Sequence, residues 1–376
     1  MKFKTDILIF KPGDVDLSFS PLRKDIDAAT YVLGAFNPGL TRLPNGNLLI
    51  MVRVAEALKE PVFDGMIHSI RWNRDGYKLD AYPLDDVDAD DPRKFLIKAD
   101  LPAPVLALTS ISWLLPVELT PDGLNIIKIH YDSIIAPHRT SEEYGIEDAR
   151  ISLIDGKYYM TTCTVSAERH ATSLYSSEDG LNYLFEGIIL DHQNKDMLLF
   201  EGKVGNKYYA LTRPLGSLYF QTGKNSKFLP GPTINLATSP DLLHWKPTDD
   251  PLLRPKKGNL NINRIGGGTP PILTDKGWLI LYHAVEASGK VGIYRTYWAL
   301  LDKENPSKII RIEDEFPLIE ACPTLTDDLT ESIYLKDVVF TTGIVDAGDH
   351  FIVASGEIDL ACRITHIPKE TFNFEK

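Results

Sequence analysis

The sequence predicts an all-β fold, and three observations predict it. Few stretches carry a helical period, whereas many short β-branched or aromatic runs are bounded by Gly, Asn, Asp and Pro. One pattern, a polar or glycine-containing turn between two apolar runs, recurs along the chain. Each copy carries a glycine in or beside its turn, where a tight hairpin needs a positive φ.

Taken in order, the copies are NPGLTRLPNGNLLIMVRV from Asn37, DARISLIDGKYYMTTCTV from Asp148, LLFEGKVGNKYYALTRP from Leu198, TPPILTDKGWLILYHAV from Thr269 and TTGIVDAGDHFIVASGE from Thr341. Their turn glycines are Gly46, Gly156, Gly205, Gly277 and Gly348. Five hairpins suggest five blades, and a four-stranded blade takes about 40 to 50 residues. Pattern alone leaves an irregular β-sandwich as the alternative. The expectation is one five-bladed β-propeller domain over residues 1–376, with blades from 30 to 365, terminal extensions, and its largest insertion between 55 and 140. That insertion is expected at the surface.

Composition narrows the function classes. The 376 residues carry 40 Lys and Arg against 52 Asp and Glu, a formal charge of −12, which excludes nucleic acid as the expected partner. No apolar run reaches the roughly 18 residues of a membrane span, so no membrane partner is expected. The start, MKFKTDILIFKPGD, has too short an apolar run for a signal segment, and the expected location is cytoplasmic, or periplasmic had a leader been removed. Cys163, Cys322 and Cys362 are widely separated, with no CxxC pair, and point to neither disulfide nor zinc. No metal or organic cofactor is expected, and the oligomeric state is left open.

Residues at equivalent places in several blades would converge on a central channel. Asn37, Arg53, Glu147, Asp148, Glu201, Lys203, Arg213, His283, Glu286, Glu357 and Asp359 sit just before or at the ends of the hairpins. Any one of them alone reads as a solvated charge or an ion-pair partner; their repeated placement favours a site.

At GIEDARI, NKDMLLFEGKVGNKYYALTRP and GGGTPPILTDKGWLILYHAVE the chain resembles glycoside hydrolase family 130, the mannoside phosphorylases and related β-mannosidases, over roughly residues 30–365. The resemblance implies a five-bladed propeller and an enzyme that inverts the anomeric centre of a non-reducing-end β-mannoside of an oligosaccharide. It nominates Asp148 as proton donor, acting through the sugar 3-hydroxyl. The residues agree: Glu147 and a partly dry cavity would both raise the pKa of Asp148. Arg150 would lie on the same side of the strand, orienting Asp148 or lowering its pKa; a purely structural pair between the two is the alternative. In the phosphorolytic members basic side chains hold inorganic phosphate as co-substrate, and Arg53, Lys203 and His283 match that pattern, with Arg213 a fourth.

Two departures from the phosphorylase pattern favour hydrolysis. LFEGK replaces the usual LFPEK, placing Glu201, and ASGEID replaces a tyrosine-containing run, adding Glu357. A second carboxylate is what an inverting hydrolase needs to activate water, and it would repel phosphate. The expectation is therefore a β-1,2- or β-1,4-mannosidase with Glu201 as base, then Glu357, then Glu286. A β-mannoside phosphorylase is the second reading, ahead of a non-catalytic glycan-binding propeller and a furanosidase-type propeller. Asn37, Arg53, Glu147, Arg150 and Asp359 are expected to bind substrate, and Phe36, Tyr144, Tyr282 and Trp298 are candidates to stack on a sugar ring.

Overall fold

All five predicted hairpins form in the computed structural model, which describes residues 3–91, 93–97, 105–215, 225–256, 258 and 262–374. They pair Thr30–Arg42 with Leu48–Leu58, Gly145–Ile154 with Lys157–Val165, Asn194–Val204 with Lys207–Pro214, Ile272–Leu273 with Trp278–Glu286, and Val339–Asp346 with His350–Glu357. The second turn shows why its sequence works. Asp155 and Gly156 take φ of 52° and 81°, the two left-handed residues of a type I′ turn, and Asp and Gly accept that conformation at least cost.

Strand alternation then decides how the sheets stack. In Leu48–Leu58, Leu48, Ile50, Val52 and Val54 face one apolar cluster with Trp113 and Leu115, whereas Leu49 and Met51 face another with Ile151 and Met160. Trp278–Glu286 does the same: Trp278, Ile280 and Tyr282 pack with Phe200 and Leu211, and Leu279 and Leu281 with Val339 and Phe351. Both faces of these strands are dry, each large aliphatic contributing about 1.5–3 kcal/mol on burial, so each of these two strands is packed on both sides.

The Asn194–Val204 hairpin extends to a four-stranded sheet through Ile234–Ser239 and Lys246–Leu253. Trp278–Glu286 lies between Ile262–Gly267 and Ile293–Leu301, with Ile309–Glu313 beyond. The first two hairpins share one sheet of eight strands, joined at a single parallel pairing of Ser112 in Ser110–Leu119 with Gly145. The last hairpin continues through Ala361–Pro368 to Thr5–Phe10. That final pairing differs from the expected N-terminal extension: Thr5–Phe10 is the edge strand of the last sheet. The expected insertion of 55–140 is shorter in the structure: Ser110–Leu119 pairs with Leu48–Leu58 in the eight-stranded sheet, and the part before it folds into two small sheets, Val62–Phe63 with Met66–Asn73 and Gly76–Pro83, and Val87–Asp91 with Lys94–Ile97 and Val105–Leu108.

Candidate active site

The site is built from bulges at one place in successive hairpins. Pairing slips between Phe36 and Gly39, between Glu147 and Arg150, and between Lys195 and Leu198. Inside each slip one residue turns left-handed: Asn37 at φ 48°, Asp148 at 52° and Asp196 at 51°. Asp359 does the same at 51° in the turn after Glu357. A bulge re-aims a side chain, and Asn and Asp are the non-glycine residues that tolerate this backbone best.

The side chains of Asn37, Asp148 and Asp359 meet in a cavity of about 460 Å³. Arg53 is its hub, donating from Nη2 to Glu147 Oε1 at 2.9 Å, from Nη1 to Asp148 Oδ1 at 3.0 Å and from Nε to Ser112 Oγ at 2.9 Å. Asn37 Nδ2 donates to the same Asp148 oxygen at 2.8 Å, and Lys195 Nζ to Glu147 Oε2 at 3.0 Å. Asp359, Arg213, His170 and Arg264 complete the wall, and the insertion adds Arg93 and Lys94. Six Arg and Lys therefore line the cavity against three carboxylates, Glu147, Asp148 and Asp359.

Behind this wall lies a second layer of charge. Arg150 is buried, donating to the carbonyls of Gly268 at 2.6 Å and Asp148 at 2.8 Å. Its Nη2 is 3.9 Å from Asp196, which stands 2.7 Å from Arg213 Nε, without hydrogen-bond alignment, and 3.8 Å from His283 Nε2.

Burial works against every charge here, and the neighbours decide each outcome. Burial would raise Asp148, but Arg53, Arg150, Lys195 and the Asn37 hydrogen bond hold it well below the usual carboxylate range. This corrects the expectation of a raised pKa: burial pushes the other way and is outweighed. Glu147 is lowered too, since Arg53 and Lys195 overcome its burial. Burial wins for Asp359, pushed up to about 6 despite Arg53 and Arg93, and for Asp196, raised despite Arg213 and Arg150. His170 falls to about 4 and His283 well below its ordinary value, both chiefly by burial, so both rings are neutral at pH 7.

Of the sequence candidates, Asn37, Arg53, Glu147, Asp148, Arg213 and Asp359 come together around the cavity, with Phe36 under the Arg53 guanidinium. Arg150 and His283 stand behind it. Four candidates lie elsewhere. Lys203 is at the exposed end of its hairpin, over the Tyr208 ring. Glu357 is buried against Arg363 at 2.8 Å, and Glu286 pairs with Arg295 at 2.8 Å. Glu201 is six residues along its strand from the wall residue Lys195, a separation of roughly 20 Å. Tyr144, Tyr282 and Trp298 are core side chains. Sequence reasoning missed Lys195, Asp196, His170, Arg264, Arg93 and Lys94. Asp196 had a signal: it precedes Gly205 by the spacing that separates Asn37 from Gly46.

Burial pushes the half-buried Glu201 up from an ordinary 4.5 to about 7. A carboxyl raised on folding stabilises below pH 4.5, and that contribution is lost as pH rises to 7. Allowing for its partial contact with water, the loss is about 1–2 kcal/mol. Glu201→Gln should therefore gain that much stability at neutral pH, seen as a higher urea midpoint at pH 7.5 than wild type, with turnover little changed. Loss of turnover would instead return Glu201 to the chemistry.

With the geometry in place, known proteins supply the comparison. The family described as β-1,4-mannooligosaccharide phosphorylase matches residues 112–376. A β-1,2-mannobiose phosphorylase of Listeria innocua is 31% identical over 342 residues, covering 89% of each chain. A 1,2-β-oligomannan phosphorylase of a Thermoanaerobacter species is 30% identical over 260 residues, 68% of this chain and 79% of that one. A solved structure of the Listeria innocua β-1,2-mannobiose phosphorylase with β-1,2-mannobiose superposes with a TM-score of 0.77 at 29% identity, covering 97% of this chain and 96% of that one. The chain is an enzyme of glycoside hydrolase family 130.

Proposed function

We propose that this enzyme is an inverting phosphorylase that cleaves non-reducing-end β-mannosides with inorganic phosphate and releases α-mannose 1-phosphate. One observation carries the reading: buried polar atoms without hydrogen-bond partners crowd one side of the site. Arg150 Nη2, Arg213 Nε, Arg264 Nε and both ring nitrogens of His283 are among them. Buried donors are rarely left unmatched, and an excess of guanidinium groups suits an oxyanion. The preferred sequence reading, hydrolysis, rested on Glu201 and Glu357, and neither lines the cavity. Phosphorolysis, the second reading, also agrees with the names of the relatives, which make β-1,2-mannobiose the first substrate to try.

We read the sheets as five blades of a propeller forming one catalytic domain, the eight-stranded sheet being two blades that touch at Ser112 and Gly145. Asn37, Arg53, Glu147 and Asp359 then hold the mannose hydroxyls around the axis. In the reaction the bond from C1 to the leaving oxygen breaks while a phosphate oxygen bonds C1 from the opposite face. Asp148 supplies the proton to the leaving oxygen, relayed through the 3-hydroxyl. Asp148 is ionised in the free enzyme because cations surround it. Phosphate placed among Arg150, Arg213 and His283 adds negative charge to that field and raises its pKa, so the nucleophile primes the acid.

The test is one product chromatogram in phosphate buffer beside one without phosphate. The expected product is α-mannose 1-phosphate, with turnover lost when phosphate is omitted. Free α-mannose at a rate indifferent to millimolar phosphate would overturn the reading.

A further inference from the structure

Asp148 lines the active-site wall, and Asp196 stands behind it. Both also open onto an internal cavity of about 10 Å³, closed by Thr161, Thr162, Cys163, Thr172 and Met197. A polar cavity of that size takes one water when two to four polar groups surround it. Here Thr162 Oγ1 and Asp196 Oδ2 are buried without a hydrogen-bond partner, and Asp148 lines the same space. Thr161 Oγ1 is already committed to the Met197 carbonyl at 2.6 Å, and Thr172 Oγ1 accepts from Asn194 Nδ2 at 3.2 Å.

We infer that this cavity holds an ordered water bridging the carboxylates of Asp148 and Asp196, so that Asp196 is a positioning residue for the proton donor. The inference rests on the reading of Asp148 as the acid, not on which nucleophile attacks. Asp196 lies beside the cations Arg213 at 2.7 Å and Arg150 at 3.9 Å, with the neutral His283 ring at 3.8 Å. Lys195 precedes it on the strand, and Cys163 lies across the cavity, its thiol kept protonated by burial, which pushes it to about 12. Asp196 is thus the carboxylate through which the field of Arg150 and Arg213 is balanced at Asp148. A donor surrounded by cations alone would give up its proton too early.

The test is the pH dependence of kcat on β-1,2-mannobiose at saturating phosphate. A general acid makes kcat fall at high pH, and the midpoint of that limb reports Asp148 in the complex. Asp196→Asn removes a negative charge beside Asp148, so the limb should move to lower pH by about one unit. Thr162→Val keeps the side-chain shape but takes a partner from the water. A water donating less firmly to the Asp148 carboxylate leaves that charge less stabilised, so the limb should move to higher pH. A purely structural Asp196 would lower kcat at every pH and shift neither limb. An Asp196→Asn profile that superimposes on wild type overturns the inference, as does a Thr162→Val limb that stays in place. If Asp196→Asn does not fold, Thr162→Val decides alone. Failure of the acid assignment is separate: it would show as activity retained in Asp148→Asn.

Discussion

Asp148→Asn is expected to lower kcat on β-1,2-mannobiose by about 10²- to 10⁴-fold, the usual cost of losing a general acid. The substitution keeps the shape and offers an amide oxygen to Arg53 and Asn37, which hold Asp148 Oδ1 at 3.0 and 2.8 Å. It strands no charge, because Arg53 keeps Glu147 at 2.9 Å. The loss should therefore fall on kcat, with KM for the mannoside changed only a few-fold and the urea midpoint close to wild type. Single-turnover kinetics beside an unfolding curve checks this. Near-wild-type kcat in a folded variant would remove Asp148 from the role, and Asp359, whose pKa of about 6 leaves it partly protonated near neutrality, would be the next acid to examine.

Hairpins and turns were legible because they are local: Asp155 and Gly156 specify their turn through their own φ preferences. The GIEDARI stretch was legible as a site for the same reason, two acids and an arginine beside a buried hairpin. What the sequence does not display is which end of a strand faces the axis. Glu201 and Lys203 flank the outer turn of their hairpin, while at the other end of the same strand Lys195 reaches the cavity and Asp196 stands behind it. A count back from each turn glycine separates the two ends, since Asn37, Asp148 and Asp196 precede Gly46, Gly156 and Gly205 by eight or nine residues. Arg93 and Lys94 had no such signal, because the insertion that carries them reaches the cavity by tertiary packing. The pKa of Asp148 was misjudged for a related reason: Glu147 is its neighbour in sequence, but Arg53 and Lys195, which lower that pKa, are neighbours only in space.

Arg363→Ala is expected to cost about 3–5 kcal/mol of stability, the penalty for leaving a buried charge without its partner. Arg363 is 2% exposed and donates from Nη1 to Glu357 at 2.8 Å, from Nε and Nη2 to both oxygens of Asp6 at 2.7 Å, and to the Glu320 carbonyl at 2.8 Å. Glu357 is fully buried, and its other oxygen accepts from the Cys322 amide, so the lost guanidinium has no water to replace it. Asp6→Asn should cost less, because Asp6 is 22% exposed and keeps the Thr365 hydroxyl at 2.9 Å. That ordering, read from urea midpoints, separates a buried pin from an ordinary surface pair. The pin also bears on catalysis. The Glu357 carbonyl accepts from Leu360 N at 3.0 Å, closing the left-handed turn that points Asp359 into the cavity, and Tyr334 Oη holds the Asp359 carbonyl at 2.8 Å. In whatever fraction of Arg363→Ala folds, KM for the mannoside should therefore rise. An Arg363→Ala protein as stable as wild type would show that Glu357 finds another partner, which would reopen its place near the chemistry.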